Sequence, residues 1–176
     1  MANKEALREL QGRLAERLQE ARELEQMMGW LAVEAAGYPF ILPLTEAGEI
    51  FQPSTLLEVP HTRPWFLGVA NLRGALTGVV DLAGFLGLRE RVPAAVREQA
   101  RLVAFNTGLD INAALLVDRL AGLRNADQLQ PEPPPNEPLP AFAGLRCRDD
   151  SGRVWQELRL SALARDERFL RMGQDV

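Results

Sequence analysis

Apolar residues recur at steps of three and four from Leu7 through Leu10, Leu14, Leu18, Ala21 and Leu24 to Met28. Arg8, Glu9, Arg13, Glu16, Glu20 and Glu23 fall on the opposite face. That spacing matches the turn of an α-helix, so residues 1–29 read as an N-terminal amphipathic helix, with Asn3 as N-cap and Gly29 as its stop. The stripe is expected to pack on the protein's own body. The alternative is pairing with a partner or a second copy, for which the repeats are few.

After Gly37 the period changes. Tyr38-Pro39-Phe40-Ile41-Leu42-Pro43-Leu44 is a short extended run whose prolines predict an edge strand. Glu46-Ala47-Gly48 reads as a turn, Glu49-Ile50-Phe51 opens the next run, and Leu56 to Val59 follows. Trp65 to Ala70 and Ala75 to Leu82 read as strands around an Asn71-Leu72-Arg73-Gly74 turn. Phe85 to Leu88 forms a brief helical turn ending at glycine, and Glu90 to Gln99 a charged surface excursion. Arg101 to Asn106 and Ala113 to Val117 are two further strands joined through Thr107 to Asn112. Pro131 to Pro138 is a proline-rich surface loop, extended and without ladder bonds. Ala143 to Arg148 and Val154 to Leu158 make a last hairpin, and Leu160 to Leu170 a closing helix capped by Ser161. Many short strands bracketed by two helices predict small barrels over residues 30–176 rather than a βαβ sheet.

The totals narrow the function. A chain of 176 residues, 47% apolar, is one domain or two small lobes sharing a core. Its net charge of -4 leaves no basic footprint for nucleic acid. One cysteine, Cys147, and one histidine, His61, exclude an internal disulfide and the usual Cys/His zinc arrangements. The first residues lack the apolar stretch of a secretory signal, and no run spans a bilayer, so a cytoplasmic protein without direct membrane insertion is expected.

Catalytic chemistry is thin. There is no Gly-rich phosphate loop and no G-x-S-x-G elbow. His61 sits alone in a loop, Cys147 lies in a strand as a packing residue, and Asp149-Asp150 serve a hairpin turn. No enzyme, cofactor or metal is expected. The Asn71-Leu72-Arg73-Gly74 turn differs. Gly74 permits a positive φ, Asn71 can bond local backbone, and Arg73 is then offered outward on a stiff base. An arginine satisfied internally by Glu49 or Asp81 is an equal reading at this stage.

Gly68-x-x-Asn71-Leu72-Arg73-Gly74 followed by Val79-Val80-Asp81-Leu82 resembles the motif of the CheW-like family of chemotaxis coupling proteins. Glu49-Ile50 sits where such proteins carry a Glu-Ile or Glu-Val pair, and Leu116-Val117-Asp118 resembles their second Val-Asp strand. Phe142 to Leu145 and Trp155 to Leu163 resemble the last hairpin and closing helix. The wording from Val59 to Asn71 is similar to PilI-type members, which work with type IV pili and twitching motility. Gly78 stands where a proline often precedes Val-Val-Asp, and the N-terminal helix is extra to the family core.

The resemblance implies a mainly β fold of two five-stranded barrels of the Src-homology type. It also implies a non-enzymatic scaffold coupling a chemoreceptor cytoplasmic tip to the regulatory domain of a CheA-like histidine kinase, at membrane-bound receptor arrays. Receptor contact in the family lies in the groove between barrels, near positions matching Gly68 and Arg73, with Glu49 part of the same surface. Asn71 and Leu72 complete the expected partner-binding set, and a Glu49–Arg73 ion pair is the expected means of orienting the arginine. The rivals are a detached kinase regulatory domain, a small-barrel single-strand nucleic-acid binder, which the acidic charge disfavours, and a small hydrolase, for which no constellation exists.

Overall fold

A computed structural model describes residues 2–173, apart from the side chains of residues 2, 3 and 23–27. Helix α1 (Ala2–Met27) leads into a hairpin of β1 (Trp30–Ala35) and β2 (Tyr38–Pro43), turned at Ala36 and Gly37, both with positive φ. Next come β3 (Ala47–Phe51), β4 (Phe66–Leu72), β5 (Ala75–Asp81), the short α2 (Leu82–Phe85), β6 (Arg101–Phe105) and β7 (Ala113–Val117). The remainder is β8 (Arg119–Arg124), β9 (Leu129–Pro131), β10 (Ala143–Asp149), β11 (Val154–Leu158), α3 (Leu160–Leu163) and α4 (Glu167–Leu170).

The middle of the chain makes one sheet, in the order β3-β6-β7-β5-β4, and both ends make the other, β8-β1-β2-β11-β10-β9. The five-stranded sheet curls until its edges meet. Leu57, on the segment leaving β3, exchanges two backbone bonds of 2.9 Å with Val69 of β4. Closure of this kind removes free strand edges and stiffens the whole unit. The second sheet has six strands rather than five, the extra one being the three-residue β9.

One core serves both sheets. Val33, Phe40 and Leu42 of the six-stranded sheet meet Val80, Val103, Phe105 and Leu115 of the other, with Leu160, Leu163 and Phe169 closing the gap. Phe169 is wholly buried and stacks on Phe105 at 5.6 Å between ring centres. Burial of such side chains contributes about 1.5–3 kcal/mol each, and this core is the main force holding the sheets together.

Several expectations need correction. Leu7, Leu10, Leu14 and Leu18 are 56%, 59%, 58% and 57% exposed, so the described part of the α1 stripe does not pack on the body. The Asn3 cap and Leu24 lie outside the described side chains. β2 is an interior strand despite its prolines, because its parallel ladder with β11 uses only Phe40 and Ile41, between Pro39 and Pro43. The turn before β3 ends at Glu46, and Ala47 and Gly48 already belong to the strand. The single closing helix is two four-residue helices. The second is capped by Asp166, which accepts from Arg168 and Phe169 N–H groups. Ser161 caps neither; its hydroxyl donates to Glu46 Oε1 at 2.5 Å. The residue pattern predicts no strand at β1, β8 or β9.

Candidate functional site

The β4–β5 hairpin pairs Leu72 with Ala75, leaving Arg73 and Gly74 as a two-residue loop. Their φ angles are +51° and +83°, the pattern of a type I′ turn, whose twist suits a hairpin. Glycine adopts that conformation freely, but an arginine there costs about 1–2 kcal/mol. Asn71 offsets part of this cost, because its Oδ1 accepts the Gly74 N–H at 2.7 Å. The turn is therefore fixed, and the arginine leaves it in a set direction.

Arg73 Nη2 lies 2.6 Å from Glu49 Oε1 on β3. The sequence left two readings of Arg73 open, internal satisfaction or outward display, and the structure combines them. Arg73 is paired, yet its side chain remains 76% exposed and Glu49 43%. Asp81, the other carboxylate considered, belongs elsewhere. A pair this exposed adds little to stability, so its effect is to orient. Beside it runs a groove of about 480 Å³, whose lining includes Phe51, Thr77, Asp110 and Asn112 as well as the pair. Every lining residue comes from the five-stranded sheet or its loops, so this groove belongs to that sheet alone.

The other residues of the expected set are placed differently. Gly68 is buried with φ +129°, and a Cβ there would come within 2.4 Å of the Leu57 carbonyl oxygen. It lets the Leu57 segment close the barrel against β4, beside a bulge between Phe66 and Gly68. Leu72 is 7% exposed and packs in a small core with Val79, Leu102 and Leu116. Gly68 and Leu72 thus support the surface from beneath, while Asn71, Arg73 and Glu49 form its outer part.

A buried ionic cluster went unread in the sequence. Arg89 donates through Nε and Nη2 to Asp81 at 2.9 and 2.6 Å, and through Nη1 to Asp118 Oδ2 at 2.8 Å. Burial works against the guanidinium charge, but bonds and charges from both aspartates raise the Arg89 pKa overall. Asp118 is the single residue between β7 and β8, where the chain crosses from one sheet to the other. Its Oδ2 also accepts the Ala36 N–H at 2.8 Å, in the β1–β2 turn. The signal was present: Val-Val-Asp and Leu-Val-Asp each end an apolar strand in a carboxylate, and buried carboxylates need a cation.

His61 is exposed with φ +58°, and Cys147 is buried, its thiol pKa pushed up by that burial. Asp149 organises the β10–β11 turn. It accepts from Ser151 and Arg153 N–H groups and from Trp155 Nε1. Among the described residues no group of three or more His, Cys, Asp or Glu side chains is placed to hold a metal ion.

Two small β units on a shared core, with a rigid charged pair beside an open groove, define a module built to bind. The CheW-like domain family matches residues 29–168, which contain every strand, and the chain belongs to that family. It is 32% identical over 162 residues to Protein PilI of Pseudomonas aeruginosa, across 90% of this chain and 87% of that protein. The fold is similar to the crystal structure of the scaffolding protein TtCheW from Thermoanaerobacter tengcongensis. That match has a TM-score of 0.62 at 20% identity, over 74% of this chain and 88% of the other.

Proposed function

We propose that this protein is a non-enzymatic adaptor joining the cytoplasmic tip of a chemoreceptor to the regulatory domain of a CheA-like histidine kinase. The output in this reading is type IV pilus twitching motility, and the place of work is the cytoplasmic side of membrane-bound receptor arrays. Membership of the CheW-like family supports the adaptor role, and the likeness to PilI supports the pilus assignment. The observation that carries the site is the Arg73–Glu49 pair, a cation fixed in direction yet 76% exposed at the lip of a groove. Arginine in that setting suits a binding hot spot, since its planar fork meets carboxylates and carbonyls with little further ordering. Receptor contact then falls on Glu49, Asn71 and Arg73, with Gly68 and Leu72 holding them in place.

Arg73→Glu is the direct test. Pull-downs against receptor tips and the kinase are expected to show receptor binding lost and kinase binding kept, with the circular dichroism spectrum unchanged. Undiminished receptor binding in a folded variant removes Arg73 from the site.

A further inference from the structure

Among its described side chains, helix α1 presents an apolar face that the rest of the described molecule leaves uncovered. Leu7, Leu10, Leu14 and Leu18 are each more than half exposed along 26 helical residues, and they share one side. Single exposed leucines are ordinary, but a continuous stripe over several turns is an interaction surface. One interior position weakens a helix otherwise rich in good helix formers. Gly12 sits in its interior, where a Cβ would meet nothing within 4 Å, so no packing reason places a glycine there. A helix of this kind gains most of its stability from whatever covers its apolar face.

Charge order along α1 identifies the occupant. The first half carries Lys4, Arg8 and Arg13 against Glu5 and Glu9, an excess of positive charge. The second half carries Glu16, Glu20, Glu23 and Glu25 against Arg17 and Arg22, an excess of negative charge. Two copies side by side in the same direction set like against like. Reversing one sets each basic half on an acidic half and also opposes the two helix dipoles, which is favourable. Seven-residue spacing puts Leu7, Leu14 and Ala21 at one seam position. In an antiparallel register with Leu10 over Ala21 of the second copy, Arg13 flanks Glu20 of the second copy, and symmetry repeats the contact. Arg13 Nη2 now bonds Glu9 Oε1 at 2.8 Å, but both side chains are about 70% exposed and such a pair exchanges readily. Arg17 takes the second seam position with Leu10 and faces Leu14 of the second copy, where its stem can lie along leucine while its guanidinium reaches the rim.

We infer that α1 is a homodimerisation element that pairs antiparallel with α1 of a second copy, tying two β bodies together. A tethered pair presents two copies of the binding surface at high effective concentration, a gain for any partner that is itself arrayed.

Analytical ultracentrifugation of the full chain over a wide concentration range tests this without any receptor or kinase, so its outcome is separate from that of the adaptor reading. Wild type is expected to show a concentration-dependent dimer, and Leu7→Glu with Leu10→Glu a monomer of unchanged tryptophan fluorescence, since α1 stands outside both sheets. Arg13→Glu and Glu20→Arg singly are each expected to weaken dimerisation about tenfold, and together to restore it, because the swap rebuilds the contact in reverse. The inference is overturned by a wild type that is monomeric throughout, by a dimer that survives the two leucine substitutions, or by a charge swap that recovers nothing. It is equally overturned if wild type alone is monomeric and α1 associates only with an added helical receptor fragment.

Discussion

Arg73 holds a left-handed backbone conformation that arginine seldom adopts, and three neighbours make it tolerable: Gly74 completes the turn, Asn71 bonds it, and Glu49 receives the side chain. A double-mutant cycle measures whether the pair acts as one unit. Arg73→Ala is expected to cost about 2 kcal/mol of receptor binding. Combined with Glu49→Ala, the loss should fall short of the sum of the single effects, because removing either leaves the other misdirected. Additive losses in calorimetric titrations contradict a coupled pair. Gly68→Ala makes a different prediction. Its methyl would press on the Leu57 carbonyl at a φ of +129°, so urea unfolding should show a loss of about 2–4 kcal/mol. The sequence displayed the Asn-Leu-Arg-Gly turn openly, since glycine and asparagine announce the backbone they permit. It could not display which side chains face outward. Gly68 and Leu72 share the motif with Arg73 but lie beneath the surface, a distinction set by strand pairing rather than by residue type.

The elements that were legible are those whose pattern is local. Strands β4, β5, β6, β7, β10 and β11 are apolar runs bounded by turn residues, and they lie within a residue or two of where the pattern puts them. β8 escaped because Gly122, at φ +92°, breaks its alternation and its pairing with β1 shifts register at Ala32 and Val33. β9 is three residues long and runs into the proline-rich loop, too short for any periodicity. The interior place of β2 depends on β11, more than a hundred residues downstream, and no local rule could supply it. The closing helix divides because Asp166 offers a cap in mid-segment, holding the Arg168 and Phe169 N–H groups at 2.9 and 3.2 Å. That break turns Phe169 into the aromatic cluster with Phe85 and Phe105. Phe169→Ala is expected to cost about 3–5 kcal/mol in thermal or denaturant unfolding. A loss under about 1 kcal/mol would mean that α4 does not close the core.

Across the whole molecule, charge clusters reinforce the core at the places where the chain changes sheets or comes together from its two ends. Arg89 binds the end of β5 to the Asp118 crossing. On the six-stranded sheet, Glu34 accepts from Arg119 at 2.8 Å twice and also pairs with Arg153. The Arg119 bonds, helped by Arg153, hold the Glu34 pKa down to about 2 from an ordinary 4.5. At Asp149 burial is the largest single influence and acts upward. Its bonds from Ser151, Trp155 and the Arg153 backbone together prevail and hold it at about 2. Both folded values lie below the unfolded ones, so this stability is fully present above about pH 4.5 and is lost as pH falls through about 2. Glu34→Gln should lower stability at neutral pH by about 1–2 kcal/mol, a figure reduced for the exposure of its arginine partners, and should flatten the acid limb. An acid limb unchanged by the substitution would exclude Glu34 as a source of it.

In the proposed role, one rigid protein holds a receptor and a kinase together. The most direct measurement immobilises receptor cytoplasmic tips and follows retention of the CheA-like kinase with and without this protein. Kinase is expected to be retained only when the protein is present, and to be released when Arg73→Glu replaces wild type. Kinase retention that is the same without the protein, or absent with it, rules out the adaptor role.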